Sequence, residues 1–165
     1  MDGQTQRREL LADVELLYAT YAEALDDGDI ALWPSFFADD SPVYRITTRE
    51  NLEQGMELCF VLCEGQAMLR DRAIALLKTA MYRRRFQRRI MSGIRLVTFA
   101  GLDGEGLEAR ATFALFEAIG DDPSKLLVCG RSSDVIVRQG SELKFKDRLC
   151  VVDSRVVPDS LVFPV

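Results

Sequence analysis

The chain passes from an aromatic cluster, Trp33-Pro34-Ser35-Phe36-Phe37, through an acidic turn at Asp39-Asp40 into the strand-like run Tyr44-Arg45-Ile46-Thr47. Pro34 keeps any helix here short, because its ring removes a backbone donor beyond the first turn. Ahead of this stretch, Leu10, Leu11, Val14, Leu17, Tyr18, Tyr21, Ala22 and Leu25 recur at the three-and-four spacing of one helical face. After it, Val43 and Ile46, interspersed with Thr and Arg, suit a half-exposed strand. A long amphipathic helix, a short aromatic one, an acidic turn and a strand in that order point to an α+β domain. Trp33, Phe36 and Phe37 are read as core, and Asp39 and Asp40 as turn formers.

The first helix is predicted from about Thr5 to Leu25. It stops at Asp26-Asp27-Gly28, where glycine can take the left-handed conformation. Asp29 is placed to cap the short helix that follows. Leu58-Cys59-Phe60-Val61-Leu62-Cys63 is a continuous apolar run and reads as a buried strand, whereas Met68, Leu69, Ala73, Leu76, Leu77 and Ala80 return to helical spacing. From Ile90 the pattern is β. Ile94, Leu96, Thr98 and Ala100 lead to a turn at Asp103-Gly104-Glu105-Gly106; Leu107, Ala109, Ala111, Phe113 and Leu115 then alternate with Glu108, Arg110 and Thr112, which predicts a hairpin. Asp121-Asp122-Pro123-Ser124 turns the chain into a strand from Leu126 to Arg138, and Gln139-Gly140-Ser141 connects it tightly to Leu143-Lys144-Phe145-Lys146. The expectation is one domain over residues 1–165, a curved antiparallel sheet packed on N-terminal helices.

Composition removes whole classes of chemistry. The chain has no histidine, the usual base of a Ser or Cys triad and the usual nitrogen ligand of transition metals. A Rieske cluster needs two histidines and a facial-triad iron site two more, so this chain can hold neither alone. Cys59, Cys63, Cys129 and Cys150 lie in apolar surroundings and read as buried free thiols without the paired spacing of a zinc site. A net charge of -5 argues against a general nucleic-acid binder. Nothing approaches the roughly 20 consecutive apolar residues of a membrane span. The polar start, Met1 to Glu9, lacks the apolar core of a secretory signal, so a soluble, cytoplasmic protein is expected.

Helix, aromatic turn and strand together resemble the opening of cone-shaped, nuclear-transport-factor-2-like (cystatin-like) folds. Within that class the chain resembles the small, or beta, subunit of bacterial aromatic-ring-hydroxylating dioxygenases, the Rieske non-haem iron oxygenases. The resemblance spans nearly the whole chain. It rests on Trp33-Pro34-Ser35-Phe36-Phe37 with Asp39-Asp40 and Tyr44-Arg45-Ile46, on Arg49-Glu50-Asn51 with Gly55, and on Met68-Leu69-Arg70-Asp71-Arg72. Arg88 with Ser92, Gly130-Arg131, Asp134, Arg138, Leu143-Lys144-Phe145, Asp153-Ser154 and Phe163-Pro164-Val165 complete it. The stretch from Trp33 to Asn51 and the Met-Leu-Arg-Asp-Arg run look most like subunits of oxygenases acting on aromatic acids, such as salicylate 5-hydroxylase and terephthalate dioxygenase. The resemblance implies a non-catalytic, structural subunit with no cofactor of its own. It implies a homotrimer within a hexamer of three large and three small subunits, the large one carrying the Rieske iron-sulfur cluster, the mononuclear iron and the substrate pocket. Two positions depart from the family pattern: many members have histidine at Arg89 and an aromatic residue at Ser132.

The resemblance makes Asp71, Arg72, Arg83, Arg84, Arg85, Arg88, Arg89 and Arg131 candidate subunit-interface residues, where guanidinium groups bind carboxylates of a neighbour. The plainer reading is a pair of surface charges at Asp71 and Arg72 and a solvated strand entrance for the arginine cluster. Folds of this class also include stand-alone isomerases and dehydratases that move a proton between an aspartate and a tyrosine inside the cone, as in ketosteroid isomerase. For that alternative Tyr18, Asp39, Asp40 and Tyr44 are the candidate pocket residues. A ligand-binding module is the third possibility.

Overall fold

A computed structural model describes residues 3–78, 86–98, 106–157 and 161–165. Helix α1 runs Gly3–Asp27 and buries Val14, Leu17, Tyr18, Tyr21 and Leu25 along one face. Its end is a Schellman motif: Gly28, at φ 86, bonds back to the carbonyl of Leu25 at 3.3 Å, and the Asp29 N–H reaches that of Ala24 at 2.8 Å. The following turn, Ile30–Phe36, is a 3-10 helix containing Pro34. Asp29 occupies its N-cap position but makes no side-chain cap; its carbonyl instead accepts the N–H of Leu32 at 2.9 Å.

Among the described residues, six strands form one sheet in the order β2-β1-β6-β5-β4-β3. They are β1 Val43–Thr48, β2 Val61–Glu64, β3 Phe86–Leu96, β4 Leu107–Ala118, β5 Lys125–Gln139 and β6 Glu142–Val152. Helix α2, Arg49–Glu53, links β1 toward β2, and α3, Gly65–Lys78, follows β2. The expected hairpins are present as antiparallel pairs β3·β4, β4·β5 and β5·β6, although Ala100 and the turn at Asp103 to Glu105 lie outside the described residues, as does Ala80. One pair departs from the all-antiparallel expectation: β1 lies parallel to β6, Tyr44 opposite Arg148. No hairpin constrains that pair, because most of the chain lies between the two strands.

The apolar run before α3 is also different from its reading as a buried strand. Only its end is extended, and it forms an edge, with Val61 and Cys63 inward and Leu62 outward. Leu58 and Phe60 are exposed as well, since a strand covered on one face alternates with period two. Register shifts in β3·β4, β4·β5 and β5·β6 mark bulges, which bend strands and raise their twist.

The concave face holds the core. Trp33, Phe37 and Tyr44 meet edge to face at centroid distances of 5.2 to 5.8 Å, an arrangement that suits the ring quadrupoles. Phe36 is only half-buried and leans on Tyr21 at 5.5 Å. The Gln66 amide reaches the carbonyls of Phe37 and Ala38 at 3.0 and 2.9 Å, fixing the aromatic corner to the start of α3.

Candidate functional site

Inside the cone, α1, β5 and β6 bring four polar side chains together. Asp134 Oδ2 accepts from the Tyr18 hydroxyl, from Ser132 Oγ at 2.7 Å and from Arg148 Nη1 at 2.8 Å. Both members of the ion pair have fully buried side chains. Asp134 Oδ1 and Arg148 Nε and Nη2 have no hydrogen-bond partner among the described residues. The guanidinium lies instead against the rings of Tyr21 and Phe145, each 4.7 Å from its carbon, and of Tyr18 at 5.3 Å, so the cation is stabilised by aromatic faces as well as by the carboxylate.

Electrostatics in this interior follow from dehydration. Burial pushes the Asp134 carboxyl up, against the opposing pull of Arg148 and of the Tyr18 and Ser132 hydroxyls. Burial would lower the Arg148 guanidinium, but Asp134 overrides it and holds the group charged. Tyr18 is raised by burial and by the negative charge of Asp134, and Tyr21 and Tyr44 are raised chiefly by burial. Burial likewise pushes the Cys150 thiol up to about 12.

Residues 161–165 fill the remaining space. Val165 is 1% exposed; its carbonyl accepts from Tyr21 Oη at 2.9 Å and its N–H donates to Tyr44 Oη at 2.8 Å. Trp33 Nε1 donates in turn to Tyr21 Oη at 3.1 Å. Arg89 donates to the carbonyl of Pro164, and Arg72 Nη2 to that of Val162 at 2.6 Å. The phenols thus serve packing of the chain against itself.

The residues singled out in the sequence fall into separate places. Tyr18 and Tyr44 are inside, bonded to Asp134 and Val165, whereas Asp39 and Asp40 are exposed and pin the turn to the β5–β6 hairpin through Gln139 and Lys146. The four therefore do not converge. Arg89 is buried and paired with Asp26, and Arg72 is half-buried on the 161–165 segment. Asp71, Arg88 and Arg131 are exposed; Arg88 lies 3.5 Å from Asp26. Arg83, Arg84 and Arg85 lie outside the described residues. Ser132, one of the departures from the family pattern, is a donor to Asp134. Asp26, Gln66 and Arg148 were not legible as functional positions, because nothing local distinguishes them and their partners are distant in sequence.

The donor set does not fit an iron site. There is no histidine, all four cysteines are free thiols, two buried and two half-buried, and no group of three or more Cys, Asp or Glu converges among the described residues.

Fold and interior together define a cone-shaped α+β domain of the nuclear-transport-factor-2-like class whose funnel is packed as a core. No family model matches the chain. It is 27% identical over 165 residues to the small subunit of anthranilate 1,2-dioxygenase from Burkholderia cepacia, covering all of both chains. It is 26% identical over 147 residues to a beta subunit of the terminal oxygenase component of terephthalate 1,2-dioxygenase from Comamonas sp, covering 89% of this chain and 93% of that one. Among solved structures, the beta subunit assigned to an aromatic-ring-hydroxylating dioxygenase of Novosphingobium aromaticivorans superposes with a TM-score of 0.83 at 25% identity, over 96% of this chain and 98% of that one. The chain is thus related, end to end, to the small subunits of aromatic-ring-hydroxylating dioxygenases, as its sequence motifs suggested.

Proposed function

We propose that this chain is the small subunit of the terminal oxygenase component of a Rieske-type aromatic-ring-hydroxylating oxygenase, working in the breakdown of an aromatic acid. Its relatives, matched over 93% or more of their own length, carry that reading, since two of them are named for oxygenases acting on anthranilate and terephthalate. In this reading the chain is a single, non-catalytic, cytoplasmic domain. It assembles as three copies with three large subunits, which supply the Rieske cluster, the mononuclear iron and the substrate pocket. Two features of the chain support a scaffolding role: the absence of histidine and an interior occupied by packed aromatic rings and residues 161–165. No helix among the described residues is long and apolar enough to cross a membrane.

Co-expression with candidate large subunits, followed by sizing and a ring-hydroxylation assay, tests the proposal. The expected result is a mixed complex that contains iron and hydroxylates an aromatic acid, with no turnover by this chain alone. Failure to recover any large subunit, together with activity of the isolated chain, would reverse the assignment. The stand-alone isomerase or dehydratase keeps one observation in its favour, the Tyr18 hydroxyl against the Asp134 carboxylate. Against it, these groups are 0% and 1% exposed, so no substrate reaches them in this arrangement.

A further inference from the structure

The segment Leu161-Val162-Phe163-Pro164-Val165 carries no polar side chain, so only its backbone can satisfy the polar groups that face it. Two of those groups are guanidiniums. Arg89 turns Nε and Nη2 together onto the single carbonyl oxygen of Pro164. Arg72 turns Nη2 onto the carbonyl of Val162 at 2.6 Å, while its Nε is buried without a hydrogen-bond partner among the described residues. This edge of a guanidinium presents two parallel N–H groups that match the two oxygens of a carboxylate, and a lone carbonyl fills only half of it.

The arginines of the cone differ in how their charge is met. Arg89 is paired with Asp26 at 2.7 Å, and Arg148 with Asp134 at 2.8 Å, so neither needs a further anion. Arg72 makes no ion pair among the described residues. Exchanging the Val162 carbonyl for a carboxylate would supply the missing charge and engage the idle Nε. Arg72, Val162 and Phe163 are half-buried whereas Pro164 and Val165 are buried, so the Arg72 end of the segment is the one open to solvent. Phe163 follows the Val162 carbonyl directly and packs against the apolar core. An oxygen on the guanidinium with a phenyl ring behind it has the outline of an aromatic carboxylate.

We propose that residues 161–165 are a built-in competitor for an aromatic carboxylate, which binds with its carboxylate on the Nε and Nη2 edge of Arg72 and its ring in the place of Phe163. Binding displaces the segment, and Val165 leaves its contacts with Tyr21 and Tyr44. The observed arrangement is the self-occupied state, in which the apparent affinity for an added acid is reduced by the fraction of chains whose segment is docked. In an oxygenase of aromatic acids such a site makes the small subunit a sensor of the acid supply. That role rests on the small-subunit reading; the binding itself does not.

Benzoate titrated into the purified chain, followed by calorimetry and by tryptophan emission, tests the site. Trp33 is the chain's single tryptophan and senses the segment, since its Nε1 donates to Tyr21 Oη at 3.1 Å and Tyr21 Oη donates to the Val165 carbonyl at 2.9 Å. Saturable binding with a shift in Trp33 emission is expected. Benzamide, of the same shape without the charge, should bind about tenfold more weakly. Arg72→Gln should abolish binding, and Arg72→Lys, which keeps the charge but not the paired donors, should weaken it, with circular dichroism used to establish that each is folded. Val165→Ala removes two methyl groups from a side chain that is 1% exposed. It weakens the competitor and should tighten benzoate binding about tenfold. Benzamide matching benzoate, a folded Arg72→Gln chain that binds like the wild type, no tighter binding in Val165→Ala, or binding that leaves Trp33 emission unmoved would overturn the proposal. A chain that assembles with a large subunit yet ignores benzoate, as wild type and as Val165→Ala, overturns this site and leaves the small-subunit reading standing. Benzoate binding as described by a chain that recovers no large subunit supports the site while counting against that reading.

Discussion

Asp26, in the last turn of α1, and Arg89, inside β3, form an ion pair at 2.7 Å with side chains only 3% and 1% exposed. The same carboxylate accepts the Arg89 backbone N–H, at 3.1 and 3.0 Å to its two oxygens. One side chain thereby ties the first helix to an edge strand, covers an edge donor that would otherwise be available to another chain, and holds the guanidinium that grips Pro164.

Removing one partner of that pair leaves a buried charge uncompensated. Asp26→Ala or Arg89→Ala should lower unfolding free energy by about 3–5 kcal/mol. The double variant should cost clearly less than the sum of the singles. Urea titration of the full cycle checks this, and additive losses would show that the two residues act independently.

Trp33, Phe36 and Phe37 were all expected in the core, but the structure divides them. Phe37 is 1% exposed and meets several rings, so Phe37→Ala should cost about 3–5 kcal/mol through lost burial and a cavity. Phe36, half-buried against Tyr21, should cost markedly less when truncated. Equal shifts in denaturation midpoint for the two would contradict this ranking.

A single sequence makes visible what local pattern encodes. Period-two alternation from Leu107 to Leu115 was legible because the inner face is apolar and the outer face polar, and burial alternates accordingly. The helix stop at Gly28 was legible because it depends on local backbone chemistry. The Leu58–Cys63 run misled for the opposite reason: its outward residues are apolar too, so composition carried no face information. Asp134 and Arg148 are joined only by the register of β5 and β6, and Tyr18 joins them from the far end of the chain, 116 positions away. Local patterns do not encode such pairings.

Gly130 sits opposite Val152, and a Cβ there would lie 2.0 Å from the backbone oxygen of Val151. No rotamer relieves a clash with backbone, so β5 and β6 must separate. Gly130→Ala should therefore reach or exceed the upper end of the roughly 1–3 kcal/mol typical of overpacking. Thermal melting decides it: a variant as stable as the wild type would mean that the strands are not so closely apposed.

The Asp134 network can be dissected by two substitutions of different severity. Tyr18→Phe removes one of three donors and should cost about 1.5–3 kcal/mol, the range for a hydrogen bond to a charged group. Asp134→Asn leaves the Arg148 cation without a counter-charge and should cost about 3–5 kcal/mol. If the asparagine variant proved the milder of the two, the ion pair would not be the element that holds this interior together.

Stability should decline in alkali. Cys150 is held up at about 12 by burial, from an ordinary value of 9.0, and Tyr18, Tyr21 and Tyr44 are raised above 10.0. All four are neutral when protonated, so the folded chain keeps protons that the unfolded chain releases above about pH 9 to 10. Stability then falls as pH rises through that range, and the contribution is complete only below it. For Cys150 alone the loss at pH 11 is about 3 kcal/mol, taking 1.36 kcal/mol per unit of difference. Urea unfolding at pH 8 and pH 11 should show the decline in the wild type, and Cys150→Ala, whatever its own cavity cost, should show a smaller change between the two pH values. Equal pH dependence in both proteins would mean that the thiol ionises alike in the folded and unfolded chain, and the burial argument for it would fail.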